Sequence, residues 1–520
     1  MSARLVAVLA GVIVLLSACA PAPTAPATRG PLVIGIVGDP ASLLEDDGVG
    51  SVIAALVTEP IVRLTATDEL EPRLVVSIPS FANGDLRIVQ DASAPTGRLV
   101  ATFHLREGLR WQDGAPITAD DVRFAFDQDR VAAVGTQTRT RADRIERIDV
   151  VDPHTFRVAY RAGERWDQWA LGPRILPRHL LEGANAQALA RYASMPVGAG
   201  PYRIVSRAPG RIDLEAFPGY VGGRPSIERI VVRSFTDRSS LLIALRSGEV
   251  DVAPYPDFDA DLYATLDRSL DAKTQQVLYT PAEMVAMLRF GGRLDEPAIR
   301  RAISLAVDRE RIARTVFGGR ARIPDSYLVA PLWAATDVPA QPRVDVAAAR
   351  ELLLGAGFHA GNFGIMERGA ERLVVSLLVP PSPALEDAAR GVASDLAAIG
   401  IAADVTQLAE TEVERRVTQR DFDLALVLEP ADDPLVATAR YRGLVSPWFD
   451  VLAQAAREAS DRQEKKVLYL ECQRLWSEAA VALPLYQALK VDVVPARLQD
   501  VHAASHGAPI TWNAGEWRLP

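Results

Sequence analysis

Twelve apolar residues, Leu5 to Leu16, follow Arg4 at the start of the chain and lead into Leu16-Ser17-Ala18-Cys19. A positive start, a short apolar stretch and a small-residue cleavage site are the parts of an export signal. As a helix the stretch spans roughly 18 Å at 1.5 Å per residue. That is well short of a hydrocarbon core of ~30 Å, so residues 1–18 read as a signal peptide and not as a permanent membrane span. The body of the chain must therefore fold outside the cytoplasm, and it has almost no thiols to do so. With Cys19 at the cleavage point, Cys472 is the one cysteine left. No intramolecular disulfide can form, and stability has to come from packing.

Composition supplies enough apolar surface for that. About 490 residues follow Pro31, and 49% of the chain is hydrophobic, which suits two or three lobes with cores of their own. Without residues 1–18 the chain has 56 basic and 66 acidic residues. No basic block is interleaved with aromatic residues, so nucleic acid is not an expected partner. Cys472 lies among apolar positions at helical spacing (Val467, Leu468, Leu475, Trp476), which predicts a buried small side chain. Of the histidines only His502 and His506 are close, in a Gly- and Pro-containing tail, and no metal site is expected there. The chain has no Gly-x-x-x-x-Gly-Lys-Ser/Thr, no His-Glu-x-x-His and no Gly-x-Ser-x-Gly, so no catalytic residue and no cofactor is expected. The acid pairs Asp46-Asp47, Asp120-Asp121 and Asp432-Asp433 read most simply as caps and turns.

Along the chain, strand and helix patterns alternate, as in an α/β fold. Leu32 to Ile36 predicts a short buried strand, with an apolar element over Ser51 to Val57. Arg98 to Leu105 predicts a second strand, Trp111-Gln112-Asp113-Gly114 a turn, and Thr118 the cap of a helix with Asp121 in its first turn.

Three stretches carry resemblances to known sequences. Leu16-Ser17-Ala18-Cys19 resembles the lipobox of bacterial lipoproteins, which implies that Cys19 is acylated and becomes the first mature residue. Residues 19–31, with four prolines, would then be a lipidated tether. The unbroken run Thr102 to Val122, with Trp111-Gln112-Asp113-Gly114 at its turn and Thr118-Ala119-Asp120-Asp121-Val122 at its end, resembles the signature of family 5 extracellular solute-binding proteins. These are the oligopeptide-, dipeptide- and nickel-binding components of ABC importers. Ile175 to Leu181, Pro196 to Tyr202, Leu245 to Asp251, Ile299 to Arg309 and Ala348 to Phe358 resemble further family landmarks, in order.

The resemblance implies a periplasmic-binding-protein-like class II fold with two lobes, a hinge and an accessory domain. Residues 32–55, 173–276 and 485–520 would form a discontinuous lobe I, 56–172 the accessory domain II, and 277–484 lobe III. It implies a monomeric, extracytoplasmic protein held on the membrane by its lipid. Such a protein captures a peptide-like solute between its lobes and hands it to an ABC permease without covalent chemistry. A non-transporting envelope lipoprotein that uses the fold as a sensor or interaction module is the alternative.

Peptide-binding relatives carry a Trp-x-x-Asp-x-x-Asp/Glu-Pro-like run whose first acid pairs with the peptide amino terminus. Here the matching stretch is Val427 to Pro434, which puts Pro430 at that acid and Val427 at the Trp. Glu429 and Asp432, beside Pro430, are the candidate substitutes, with Asp433 next to them. They could equally face solvent or shape a turn before Pro434. Trp448 is a candidate aromatic wall, as are Tyr486, Trp512 and Trp517, although core packing is the commoner use of such residues. Trp166 and Trp169, three apart, are expected to pack together at a lobe junction.

Overall fold

The computed structural model describes residues 30–43, 48–131, 136–163, 169–255, 265–266, 268–336, 338, 340–431, 433–459, 461–503 and 508–520. Cys19, Asp46-Asp47, Trp166, Asp432 and His506 lie outside the described residues.

Leu32, Ile34 and Ile36 share one face of the strand Leu32–Val37, and all three are buried. The strand pairs in parallel with Arg229–Phe235, which continues antiparallel into Arg211–Ala216 and Tyr202–Ala208. The apolar segment after it is a helix, Gly48–Val57, and Ile53, Leu56 and Val57 close the core of this first lobe with Ile510 and Trp517 from the C-terminus. On the other edge, a bridge from Ile34 to Val252 leads to a six-stranded sheet. Its order is Ala253–Tyr255, Ala482–Pro495, Gln275–Phe290, Leu424–Pro430, Val374–Val379, Ala402–Gln407.

Two strands of that sheet connect the lobes. Gln275–Phe290 and Ala482–Pro495 are antiparallel from Gln275 opposite Pro495 to Arg289 opposite Ala482. At about 3.4 Å per residue each is roughly 50 Å long, enough to run through both lobes. Leu278 and Val494 pack on the core of the first lobe. Ala286, Leu288, Leu483 and Leu485 belong to the core of the second. Between these halves the register is irregular from Pro281 to Val285, a local kink of the kind a bulge produces.

The second lobe has an apolar cluster on each face of its sheet. Leu424 and Leu426 enter one, with Ile303, Leu385 and Val392. Val427 turns to the other, with Met287, Tyr441, Phe449, Cys472 and Trp476. Cys472 is a buried free thiol on the helix Arg462–Ala479, pushed up to about 12 by burial. The run from Ile299 to Arg309 is not one helix. Pro297–Ala306 ends before Val307, and the Asp308 carboxylate accepts from the Arg311 amide to cap a second helix, Arg309–Phe317. Helix Val346–Gly355 ends as its sequence predicts, with Gly357 at φ +86°.

The accessory domain is a four-stranded sheet, Leu86–Asp91, Ala94–His104, Thr155–Tyr160 and Ile145–Asp152, with helix Ala119–Val131 packed against it. Its helix starts as a capping box: the Asp121 carboxylate accepts from the Thr118 amide at 2.9 Å, and also from the Arg178 amide at 3.0 Å. The Trp111 to Gly114 turn is the seam with the first lobe. Gln112 is buried, its side-chain amide donating to the carbonyls of Val57, Gly200 and Tyr202 while its oxygen accepts from the Gly198 amide. Gly198 and Gly200 are glycines for a steric reason. A Cβ on Gly198 would lie 1.9 Å from the Val57 carbonyl oxygen, and one on Gly200 would lie 2.5 Å from the Val57 carbonyl carbon. Nearby, Glu59 takes the Arg73 guanidinium at 2.5 Å and the Tyr220 hydroxyl at 2.8 Å.

Candidate ligand cleft

The two lobes face each other across the irregular middle of the long ladder, and the strand Leu424–Pro430 ends beside it. Glu429 stands opposite Val285 on this strand. By period two it shares the face of Val427, which points into the helix-covered cluster of the second lobe. Glu429 is 7% exposed, and both of its oxygens are used there. Arg289 donates to Oε1 at 2.6 Å and the Tyr441 hydroxyl donates to Oε2 at 2.7 Å. The Arg289 guanidinium also lies 4.9 Å from the centre of the Tyr441 ring. Burial, with the Glu429 carboxylate beside it, pushes the Tyr441 hydroxyl well up. The carboxylate is thus neutralised inside its own lobe.

The other candidates are dispersed. Asp433 caps helix Pro434–Ala439, its Oδ1 accepting from the Leu435 amide at 2.8 Å, and its Oδ2 lies 3.8 Å from Arg144 of the accessory domain. Trp448, in the first turn of helix Pro447–Glu458, is 56% exposed. Tyr486 is buried edge-on against Phe317. Trp517 is buried in the first lobe and donates to Asn513, while Trp512 lies under Arg63 at 4.8 Å. Core packing accounts for Tyr486 and Trp517. Asp432 is outside the described residues. Among the described residues, no group of three or more His, Cys, Asp or Glu is placed to hold a metal ion.

The sequence pattern gave no sign of two other features. One is the charge on the ladder itself: Glu283 and Asp492 are buried and Lys490 is largely so. Burial pulls the Lys490 ammonium down, against the opposing pull of Asp492 and Glu283. Burial pushes the Asp492 carboxyl up to about 6. The other is a contact across the cleft. The hairpin of Val62–Leu64 and Leu70–Pro72 in the accessory domain presents Asp68 at its tip with φ +61°, a conformation that aspartate tolerates. The Asp68 carboxylate is fully buried against the second lobe, accepting from the Trp333 amide at 2.8 Å with Arg462 at 3.5 Å. Arg462 in turn donates to the Asp68 carbonyl and stacks on Trp333 at 4.5 Å.

Cavities are spread over the molecule. One of about 550 Å³ is lined by residues 307–344 alone, within the second lobe. Another, of about 260 Å³, reaches the ladder at Gln487, between Arg322 and Val338.

Two lobes joined by a two-stranded crossing, with an accessory domain on one of them, define the class II periplasmic type of binding protein. The fold superposes on the ABC transporter substrate-binding protein CtaP of Listeria monocytogenes with a TM-score of 0.75, over 94% of this chain and 99% of that one, at 20% identity. Residues 87–444 match the family of bacterial extracellular solute-binding proteins, family 5 Middle. The chain belongs to that family. Among curated relatives, Protein XP55 of Streptomyces lividans is 27% identical over 480 residues, covering 88% of this chain and 83% of its own. A probable di/tripeptide-binding protein of Pseudomonas aeruginosa is 29% identical over 424 residues, covering 74% and 78%. Among the described residues, no helix is long and apolar enough to cross a membrane.

Proposed function

We propose that this solute-binding protein captures a peptide-like solute between its two lobes and delivers it to an ABC importer permease, without covalent chemistry, while held on the outer face of the membrane through acylated Cys19. The observation that carries the proposal is the long ladder. Gln275–Phe290 and Ala482–Pro495 contribute to both cores, with their register broken midway, and two crossings of this kind let lobes close by bending without repacking. The proposed lobe boundaries, at 276/277 and 484/485, fall within these two strands. Closure is productive only if the solute binds the closed form better than the open one, and Asp68 provides a contact that exists only when the accessory domain and second lobe meet.

Native mass spectrometry of gently purified protein, compared before and after denaturation, tests capture directly. A discrete added mass in the range of a short peptide is expected, and it should disappear on unfolding. No added mass, together with no tryptophan-fluorescence response to a peptide library, would overturn the reading. Anchoring has its own test: Cys19→Ser should move the protein from the membrane fraction to the soluble one.

A further inference from the structure

Gln487 stands at the break in the ladder. It is opposite Val285, where pairing resumes after the irregular stretch that begins at Pro281, and it is 1% exposed. Its backbone amide donates to the Arg322 carbonyl at 2.8 Å. Its side-chain nitrogen donates to two more carbonyls, Ala282 on the facing strand at 2.9 Å and Ala330 of the second lobe at 2.7 Å. These bonds fix which way the amide lies, because turning it over would set its oxygen against two carbonyl oxygens. Both hydrogens of the nitrogen are engaged. The oxygen remains, and among the described residues nothing donates to it.

Gln487 lines a cavity of about 260 Å³. The rest of the wall comes from the segment between Arg322 and Val338, and much of it is apolar, with Ile323, Leu328, Val329 and Ala335. Asp325, on the same wall, has its charge engaged: Oδ1 accepts from the Gln341 amide at 2.9 Å, with Arg309 at 3.4 Å. Arg322 is exposed and has no acid partner among the described residues. The wall segment also reaches across the cleft, because the Trp333 amide, between Ala330 and Ala335, donates to Asp68 of the accessory domain. The cavity thus sits between the kink of the ladder and the segment that meets the accessory domain. A buried amide oxygen is ordinarily hydrogen-bonded. Water can meet it in a polar cavity, but a solute group that takes the place of that water must donate, since Gln487 has no hydrogen left to give.

We infer that Gln487 is a specificity-determining residue: the cavity takes one side chain of the captured solute, and the Gln487 oxygen accepts from a neutral N–H donor at its end, a carboxamide above all. The inference rests on the reading that the lobes capture a peptide-like solute. The apolar wall suits the stem of such a side chain. A carboxylate end has nothing to donate to the Gln487 oxygen, and an ammonium end would stand beside Arg322. A side chain seated here touches the ladder at its kink together with the segment that carries the Asp68 contact, which joins recognition to closure.

The test uses trialanine and tripeptides in which one alanine, at each position in turn, is replaced by glutamine, methionine or glutamate, side chains of similar length. Binding is read by calorimetry on the full mature chain, and thermal melting verifies that each variant folds. At one position the wild type should bind the glutamine peptide about tenfold more tightly than the methionine and glutamate peptides, the range of one well-formed hydrogen bond. Gln487→Met should bring the glutamine peptide down to the level of the methionine one. A folded variant that weakens every peptide by the same factor, keeping their order, shows that Gln487 only braces the ladder, and overturns the inference while capture stands. So does a wild type that binds trialanine but is indifferent to the three side chains, or favours methionine or glutamate. If Gln487→Met does not fold, Ala335→Leu decides, because it narrows the cavity and leaves the Gln487 bonds in place. It should lower the affinity for the glutamine peptide relative to trialanine, and an unchanged ratio overturns the inference. A wild type that binds no tripeptide overturns the capture reading itself.

Discussion

At the scale of single residues, burial separates two kinds of carboxylate. Glu429 is fully partnered, with Arg289 on one oxygen and Tyr441 on the other. Removing one member of such a pair leaves an uncompensated buried charge. Glu429→Ala should therefore destabilise the protein by about 3–5 kcal/mol in urea unfolding, and a loss under 1 kcal/mol would mean that water reaches Arg289. Asp492 is a different case, pushed up to about 6 by burial, with Lys490 offsetting part of the shift. The folded state holds that proton more tightly than an unfolded chain, whose aspartates titrate near 3.9. Its contribution to stability is therefore lost as pH rises from about 4 through about 6, and the full penalty, of order 3 kcal/mol, is present at neutral pH. The charged groups around it are Lys490 and, beyond that, Glu283. Ligand-free Asp492→Asn should be more stable than the wild type at pH 7 and equal to it near pH 4. A gap of the same size at both pH values would show that the ionised carboxylate is not the cause.

At the scale of elements, short polar devices set how the pieces meet. Gln112 satisfies backbone groups on two other segments, and Gly198 and Gly200 allow those segments to approach the end of helix Gly48–Val57. The hairpin carrying Asp68 does the same across the cleft, where its carboxylate accepts from the Trp333 amide and faces Arg462 of the second lobe. Asp68→Ala should shift the ligand-free protein toward the open form, read as a larger radius of gyration by small-angle scattering, and weaken ligand binding by a few fold. An unchanged radius of gyration and affinity would show that the contact contributes nothing to closure. The local signals of many elements were legible beforehand, including the strand at Leu32, the capping box at Thr118 and Asp121, and the left-handed stop at Gly357. The break between Ala306 and Arg309 was not. Asp308 continues an amphipathic pattern, and its capping of the next helix depends on where the chain is already turning.

At the scale of the whole molecule, the ladder of Gln275–Phe290 and Ala482–Pro495 makes two lobes of one chain while keeping them in a single sheet system. The Thr102 to Val122 run determined in advance that the chain belongs with the solute-binding proteins. That is a local property: a contiguous seam whose side chains serve neighbouring backbone. The direction Glu429 faces could not be had that way. Strand alternation fixes that it shares a side with Val427, but only the packed sheet decides that this side is the helix-covered interior of the second lobe. For the same reason, Asp492 and Lys490 read in sequence as ordinary polar positions in a strand. The burial of Asp492 arises only when Leu278 and Pro254, more than 200 positions away, flank it in the sheet.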